Sequence, residues 1–339
     1  MLFQSRNKIG GGKYRVMLKN LFVLMLVILS GMLIFIVNSE LQAAYNNECW
    51  VVSGGDTIWK VDSNDGKAFP NTITIPDVSQ VEAVEVDPKT GIVWIAVKAA
   101  NTVYRYDTET GDFKPVTVKG WRPQKLSINP VDGTVWGGGI DVINKVSADG
   151  NTILATIKGV YEPDVSVNTA DGSCWVTDSR GQKVSRYSAE GTLLTVPYTT
   201  LKEPKYVSVN SKTGNAWATD PRGNVIVKLN SDGQELLRIT DIDMPISPCV
   251  NADDSVWLVS SNNNLVKLSS DGSKLIEEPA GVVVMFISVN PKDGTVWAAD
   301  QLGQSFTGEV IKFSSQGQKM IGNPIFQPSY VSIGHWPIQ

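Results

Sequence analysis

Seven antiparallel blades closed into a β-propeller are what this sequence predicts, and three observations predict it. Tryptophans recur at positions 50, 94, 136, 175, 217, 257 and 297, with gaps of 44, 42, 39, 42, 40 and 40 residues. That spacing suits a four-stranded blade repeat. Each unit repeats the same order of short alternating segments and Gly-containing turns. No helical period follows residue 45.

The first 44 residues stand apart. Arg6, Lys8, Lys13, Arg15 and Lys19 precede the apolar run Leu21–Val37, and "NSELQAA" follows it. A basic head, an apolar core and a small-residue exit describe an export signal cleaved near Ala43 or Ala44. A retained membrane anchor at 21–37 is the alternative, at the short end of spanning length. Either way the basic flank directs the remainder outward, to a periplasmic or extracellular location. The division expected is thus 1–44, signal or anchor, and 45–339, propeller.

Within a unit, the first strand ends in Asn or Asp ("AVEVD", "LSIN", "VSVN", "ISVN"). A turn follows ("PKTG", "PVDG", "TADG", "SKTG", "PKDG"), in which Gly supplies a positive φ. The tryptophan strand comes next. After a variable loop, a third strand such as "VIVKLNSDG" closes in another hairpin turn. A fourth strand leads to a proline near the next unit (Pro123, Pro163, Pro204, Pro245, Pro328). The first unit starts at "CWVV" and lacks its first strand, while "YVSIG" at 330–334 matches "YVSVN" at 206–210. The C-terminal segment is therefore expected to close the ring inside the first blade, leaving no open edge.

Residues 1–43 hold five of the 30 basic and one of the 34 acidic residues, so the remainder carries 25 bases against 33 acids, net −8. This disfavours nucleic acid and anionic membrane surfaces as partners. The three cysteines have neither metal-ligand nor redox spacing. Cys49 and Cys174 precede blade tryptophans where other units have Val or Ala, and Cys249 replaces a first-strand serine. All three read as small core residues.

Units such as "VNSKTGNAWATDPRGNVIVKLNSDGQELLRI" resemble the NHL-type repeat and the propellers of the streptogramin-lyase group across nearly all of 48–339. The resemblance implies the architecture. It does not carry over the chemistry: those lyases use a pair of histidines with a glutamate and a divalent metal, and amidating lyases use histidine-ligated zinc. This chain has one histidine, His335.

Connections between strands two and three, and between one blade and the next, share one face and vary in length. The opposite face holds uniform turns. Variable loops on a rigid scaffold are where recognition is expected. The binding candidates there are Asp178, Arg180, Asp220, Arg222, Asp300, Trp121, Arg122 and Tyr161. Blade seven has the longest loop, at 300–309, and "GGGID" at 137–141 reads as open space. The first strands carry Ser127, Ser166, Ser208, Ser288 and Ser332 near the axis, with Glu85 at the same position as a channel candidate. The third strands carry one base each: Lys60, Arg105, Lys145, Arg186, Lys228, Lys267 and Lys312.

Two functions follow. The first is an exported, non-catalytic binding scaffold, without a cofactor, recognising a protein or glycan-like partner across the variable face. The second is a carboxylate-metal hydrolase on that face, similar to gluconolactonase-type propellers that hold calcium with Glu, Asn and Asp. In it, calcium would be the cofactor and Asp178, Asp220 and Asp300 could supply oxygens. The bland reading of those aspartates is that each caps its own loop.

Overall fold

The computed structural model describes residues 48–62, 72–75, 80–291, 293–302 and 308–333, all within the compact unit Asn46–Gln339. They form seven antiparallel sheets in a propeller. The expected signal or anchor at 1–44 and His335 lie outside the described residues. Among those described, no helix is long and apolar enough to cross a membrane.

The ring closes as the repeat predicts. Pro328–Ser332 is the innermost strand of blade one and pairs with Glu48–Ser53, which continues through Thr57–Asp62 to Ile73–Thr74. Six blades are four-stranded, and blade four is the exception. Its sheet holds Val165–Val167, Cys174–Asp178 and Lys183–Tyr187, and the expected fourth strand is reduced to the bridges Tyr187↔Leu193 and Val184↔Tyr198. Pro197, lacking an N–H, stands in that outer segment and interrupts a regular ladder.

Three repeat positions that look independent in sequence form one row across each blade. In blade five Ser208 pairs with Trp217, and Trp217 with Lys228. Ser127–Trp136–Lys145 and Ser166–Trp175–Arg186 repeat the row. In blade two it reads Glu85–Trp94–Arg105. Residues directly opposite across antiparallel strands point to the same sheet face, and this face meets the next blade.

In blades three, four, five and seven the row works across that seam. The tryptophans are buried in the following blade's apolar layer: Trp136 among Val165, Val167 and Val176, and Trp217 among Val256 and Leu258. The serine hydroxyls accept amide N–H groups from the next innermost strand, as in Ser127 with Val167 at 3.0 Å and Ser208 with Val250 at 3.1 Å. Those amides lie on an unpaired strand edge and would otherwise lack partners. The bases lie over their own tryptophan rings, Lys228 at 5.2 Å from the Trp217 centroid, and reach the next blade's outer turn. Lys145 donates to Ala189 O at 3.0 Å, Arg186 to Ser231 O at 2.8 Å and Lys228 to Ser270 O at 2.7 Å. Stem packing and seam bridging account for these four-carbon and guanidinium side chains.

The turn face is equally committed. In blades two to five the Asp or Asn ending the first strand caps the turn that follows, as when Asn210 Oδ1 accepts the Lys212 amide at 2.9 Å. Gly214 closes that turn at φ +74°.

Candidate functional site

On the loop face the three aspartates tie loops together. Asp178 is buried, and its Oδ1 accepts the amides of Tyr161, at 3.1 Å, and Gly181, at 2.8 Å. Asp220 does the same with Lys202 and Gly223, at 2.6 and 2.8 Å. Asp300 accepts from Val282 at 2.9 Å and Val283 at 2.8 Å. In each case the carboxylate joins its blade to the crossing that arrives from the preceding blade. Gly181 and Gly223 follow from this geometry, because a Cβ there would stand 2.2 and 2.5 Å from a carboxylate oxygen.

Blades without the aspartate make the junction otherwise. Ser53 Oγ donates to Phe326 O in blade one. In blade six Ser261 donates to Asp243 through its amide at 2.9 Å and its hydroxyl at 2.7 Å. In blade three Gly139 admits the Trp121 carbonyl, which lies 1.9 Å from where a Cβ would be. The glycine run is thus not open space. The Trp121 ring is buried beneath it and donates through Nε1 to Gly137 O at 3.1 Å. Trp121 therefore supports this face from below and is not part of its surface.

The other named candidates are exposed. Arg180 lies over the Tyr161 ring at 5.3 Å, and Arg122 is exposed at φ +50°. Arg222 pairs with Glu203 at 3.1 Å, Glu203 with Lys205 at 3.2 Å, and Lys205 with Glu162 at 3.1 Å. This chain of charges runs across blades three to five. Beside it a cleft of about 630 Å³ is lined by Arg222, Asn224, Asp243 and Met244. Residues 303–307 of the long blade-seven loop lie outside the described residues. The aspartates stand in different blades, and among the described residues no group of three His, Cys, Asp or Glu is placed to hold a metal.

A second concave site lies on the axis. Two residues before the five row serines, and before Glu85 and Cys249 in the other two blades, at the next inward-facing position of the strand, stand Ala83, Lys125, Asp164, Tyr206, Ser247, Phe286 and Tyr330, one per blade. All but Ala83 line an axial cavity of about 120 Å³, with Ser127, Ser166, Ser208, Ser288 and Glu85 also in its wall. Lys125, Tyr206 and Phe286 also line the vestibule of about 350 Å³ that opens on the loop face. The Lys125 amine stands 3.8 Å from the Phe286 centroid, 5.3 Å from Tyr206 and 5.8 Å from Tyr330. Glu85 is buried and takes hydrogen bonds from Tyr330 Oη at 3.3 Å and Ser332 Oγ at 3.2 Å. Asp164 Oδ2 accepts the Val207 amide at 2.9 Å.

Burial governs the ionisation here. It pushes Lys125 down to about 8, against the pull of Asp164 and Glu82 and with help from Lys205. It pushes Asp164 up, against Lys125 and two backbone amides. Burial raises Tyr206 to about 12 and raises Tyr330 well above its usual range, reinforced at Tyr330 by Glu85. The free cysteines are equally suppressed, Cys249 standing at about 12 by burial. No thiolate chemistry follows from them.

No protein-family model matches the chain, and no curated protein matches it. Solved structures do. A functionally unknown protein from Desulfotomaculum acetoxidans is 16% identical with a TM-score of 0.66, covering 85% of this chain and 99% of its own. Virginiamycin B lyase from Staphylococcus aureus is 20% identical with a TM-score of 0.59, covering 75% and 92%. A chain of a mitotic checkpoint complex is 11% identical with a TM-score of 0.65, covering 78% and 84%. Propellers of this shape thus include a lyase and a member of a multiprotein complex, and the architecture expected from the lyase-like repeat is the one found.

Proposed function

We propose that this chain is an exported, non-catalytic recognition propeller that holds a protein partner across its loop face. One observation carries the reading. Tyr161, Met244, Val282, Leu302 and Phe326 all stand in loops of that face, 38% to 62% exposed. Tyr161 adjoins Glu162 in sequence, and Met244 shares a cleft with Glu203, Lys205 and Arg222. Apolar anchors interleaved with paired charges are the composition of a protein-binding surface. The propeller in the mitotic checkpoint complex gives fold-level support for a protein partner. Export rests on the basic head and apolar run of the N-terminal segment.

The test is co-purification from an envelope fraction, using the full chain. Changing Met244, Val282 and Phe326 together to serine is expected to abolish retention of partners. Val131→Ser, on the exposed turn face, leaves it intact. Partners retained by the triple variant, or lost with Val131→Ser, would refute the reading.

A further inference from the structure

We propose that the axial pocket captures small uncharged aldehydes, with Lys125 forming a reversible imine. The proposal is independent of the loop-face reading. Lys125 lines both the vestibule and the axial cavity, as Tyr206 and Phe286 do, so a small molecule entering from the loop face passes its side chain. Among the described residues no hydrogen bond or ion pair ties this amine down. Its neighbours are the rings of Phe286, Tyr206 and Tyr330. Those rings give an apolar wall for the carbon skeleton of a ligand.

The step balances without a co-reactant. The neutral nitrogen adds to the carbonyl carbon, the C–O π bond opens and its oxygen takes a proton. The carbinolamine then loses water as the C=N bond forms, leaving a protonated imine. Asp164 is a carboxyl group with raised proton affinity across the same pocket, suited to giving and taking these protons. The product remains a cation. It keeps the contact with the rings and the attraction of Asp164 and Glu82, which offset part of the desolvation cost of the iminium as they do for the ammonium. The same carboxylates select against aldehydes that carry an acid group.

The ionisation is consistent with this role. The titratable groups that line the two spaces with Lys125 are Asp164, Glu82, Glu85, Glu162 and Lys205, with the Cys249 thiol and the hydroxyls of Tyr206 and Tyr330. With its proton affinity lowered to about 8, Lys125 is roughly one-tenth neutral at pH 7. An ordinary lysine is neutral in about one molecule in a few thousand at that pH.

Reductive alkylation of the full chain tests the proposal. Propionaldehyde, with cyanoborohydride in excess so that addition of the neutral amine sets the rate, traps the imine, and peptide mass mapping reads the rate at each lysine. At pH 7 Lys125 is expected to react at least about tenfold faster than the exposed Lys119 and Lys158, from its larger neutral fraction. Its rate should level off above about pH 8 while theirs keep rising. With glyoxylate as the probe, the preference for Lys125 should shrink. Equal rates at the three lysines with propionaldehyde, or an undiminished preference with glyoxylate, would overturn the proposal.

Discussion

The two faces of this propeller spend similar residues in different ways. On the turn face, Asn and Asp caps, positive-φ glycines and seam-bridging bases recur from blade to blade. Lys228 there donates to Ser270 O and pairs with Asp254 at 2.6 Å. On the loop face the joining devices differ among blades. An aspartate serves in blades four, five and seven, a serine in blades one and six, and the Trp121 backbone in blade three. Where the repeat is strict, polar residues hold blades to one another. Where it relaxes, apolar side chains reach solvent. Recognition is therefore to be sought in departures from the repeat, which include the axial ring.

Substitutions can break this contrast or sharpen it. The largest effect is expected from Lys228→Ala, which leaves Asp254 buried without its cation. Losing one partner of a buried pair costs about 3–5 kcal/mol, read as a fall in the denaturant midpoint. Asp220→Ala should cost less, about 1–3 kcal/mol, by stranding the Lys202 and Gly223 amides. If it costs as much as Lys228→Ala, the loop face is as structural as the turn face and the contrast fails.

A pH scan probes the axis. Lys125 has a folded proton affinity below its unfolded value, so the unfolded chain binds more protons between about pH 8 and the usual lysine range. Stability contributed by this group should rise with pH across that window. Lys125→Met removes the rise, visible as a difference between the two unfolding profiles. The smallest change is expected from Met244→Ser with Phe326→Ser, within about 0.5 kcal/mol, since both side chains are already in water. A larger loss would mean that these residues serve the fold.

Blade number, ring closure and the burial of the tryptophans were legible in the sequence because each depends on a position that repeats. The serines and bases were legible as sets but not as partners. A spacing shows that Ser208 and Lys228 recur; only strand register shows that they flank Trp217. Trp121 read as a surface residue because nothing in "GGG" announces that its own backbone and ring fill the space. The Lys125 cage was missed although a signal existed. Counting two residues back from each serine gives Lys125, Asp164, Tyr206, Phe286 and Tyr330, and period two puts them on the same strand face as the serines. Their chemical variety hid them: only Tyr206 and Tyr330 agree, and a search for repeats discards positions that vary so widely.

The shared first blade also has a consequence for how the molecule is made. Pro328–Ser332 pairs with Glu48–Ser53 and packs against Val81–Val86 on one side and Val284–Val289 on the other. Blades two to seven are built from local hairpins that can form as synthesis proceeds. The clasp joins segments nearly the whole folded length apart, a slow contact for any chain. Until it engages, Glu48–Ser53 presents a bare ladder to its surroundings, and the newly made protein is at its most adhesive. Damage to this one strand should therefore show first as poor yield and clumping during expression, before any weakness is measurable in molecules that have already closed.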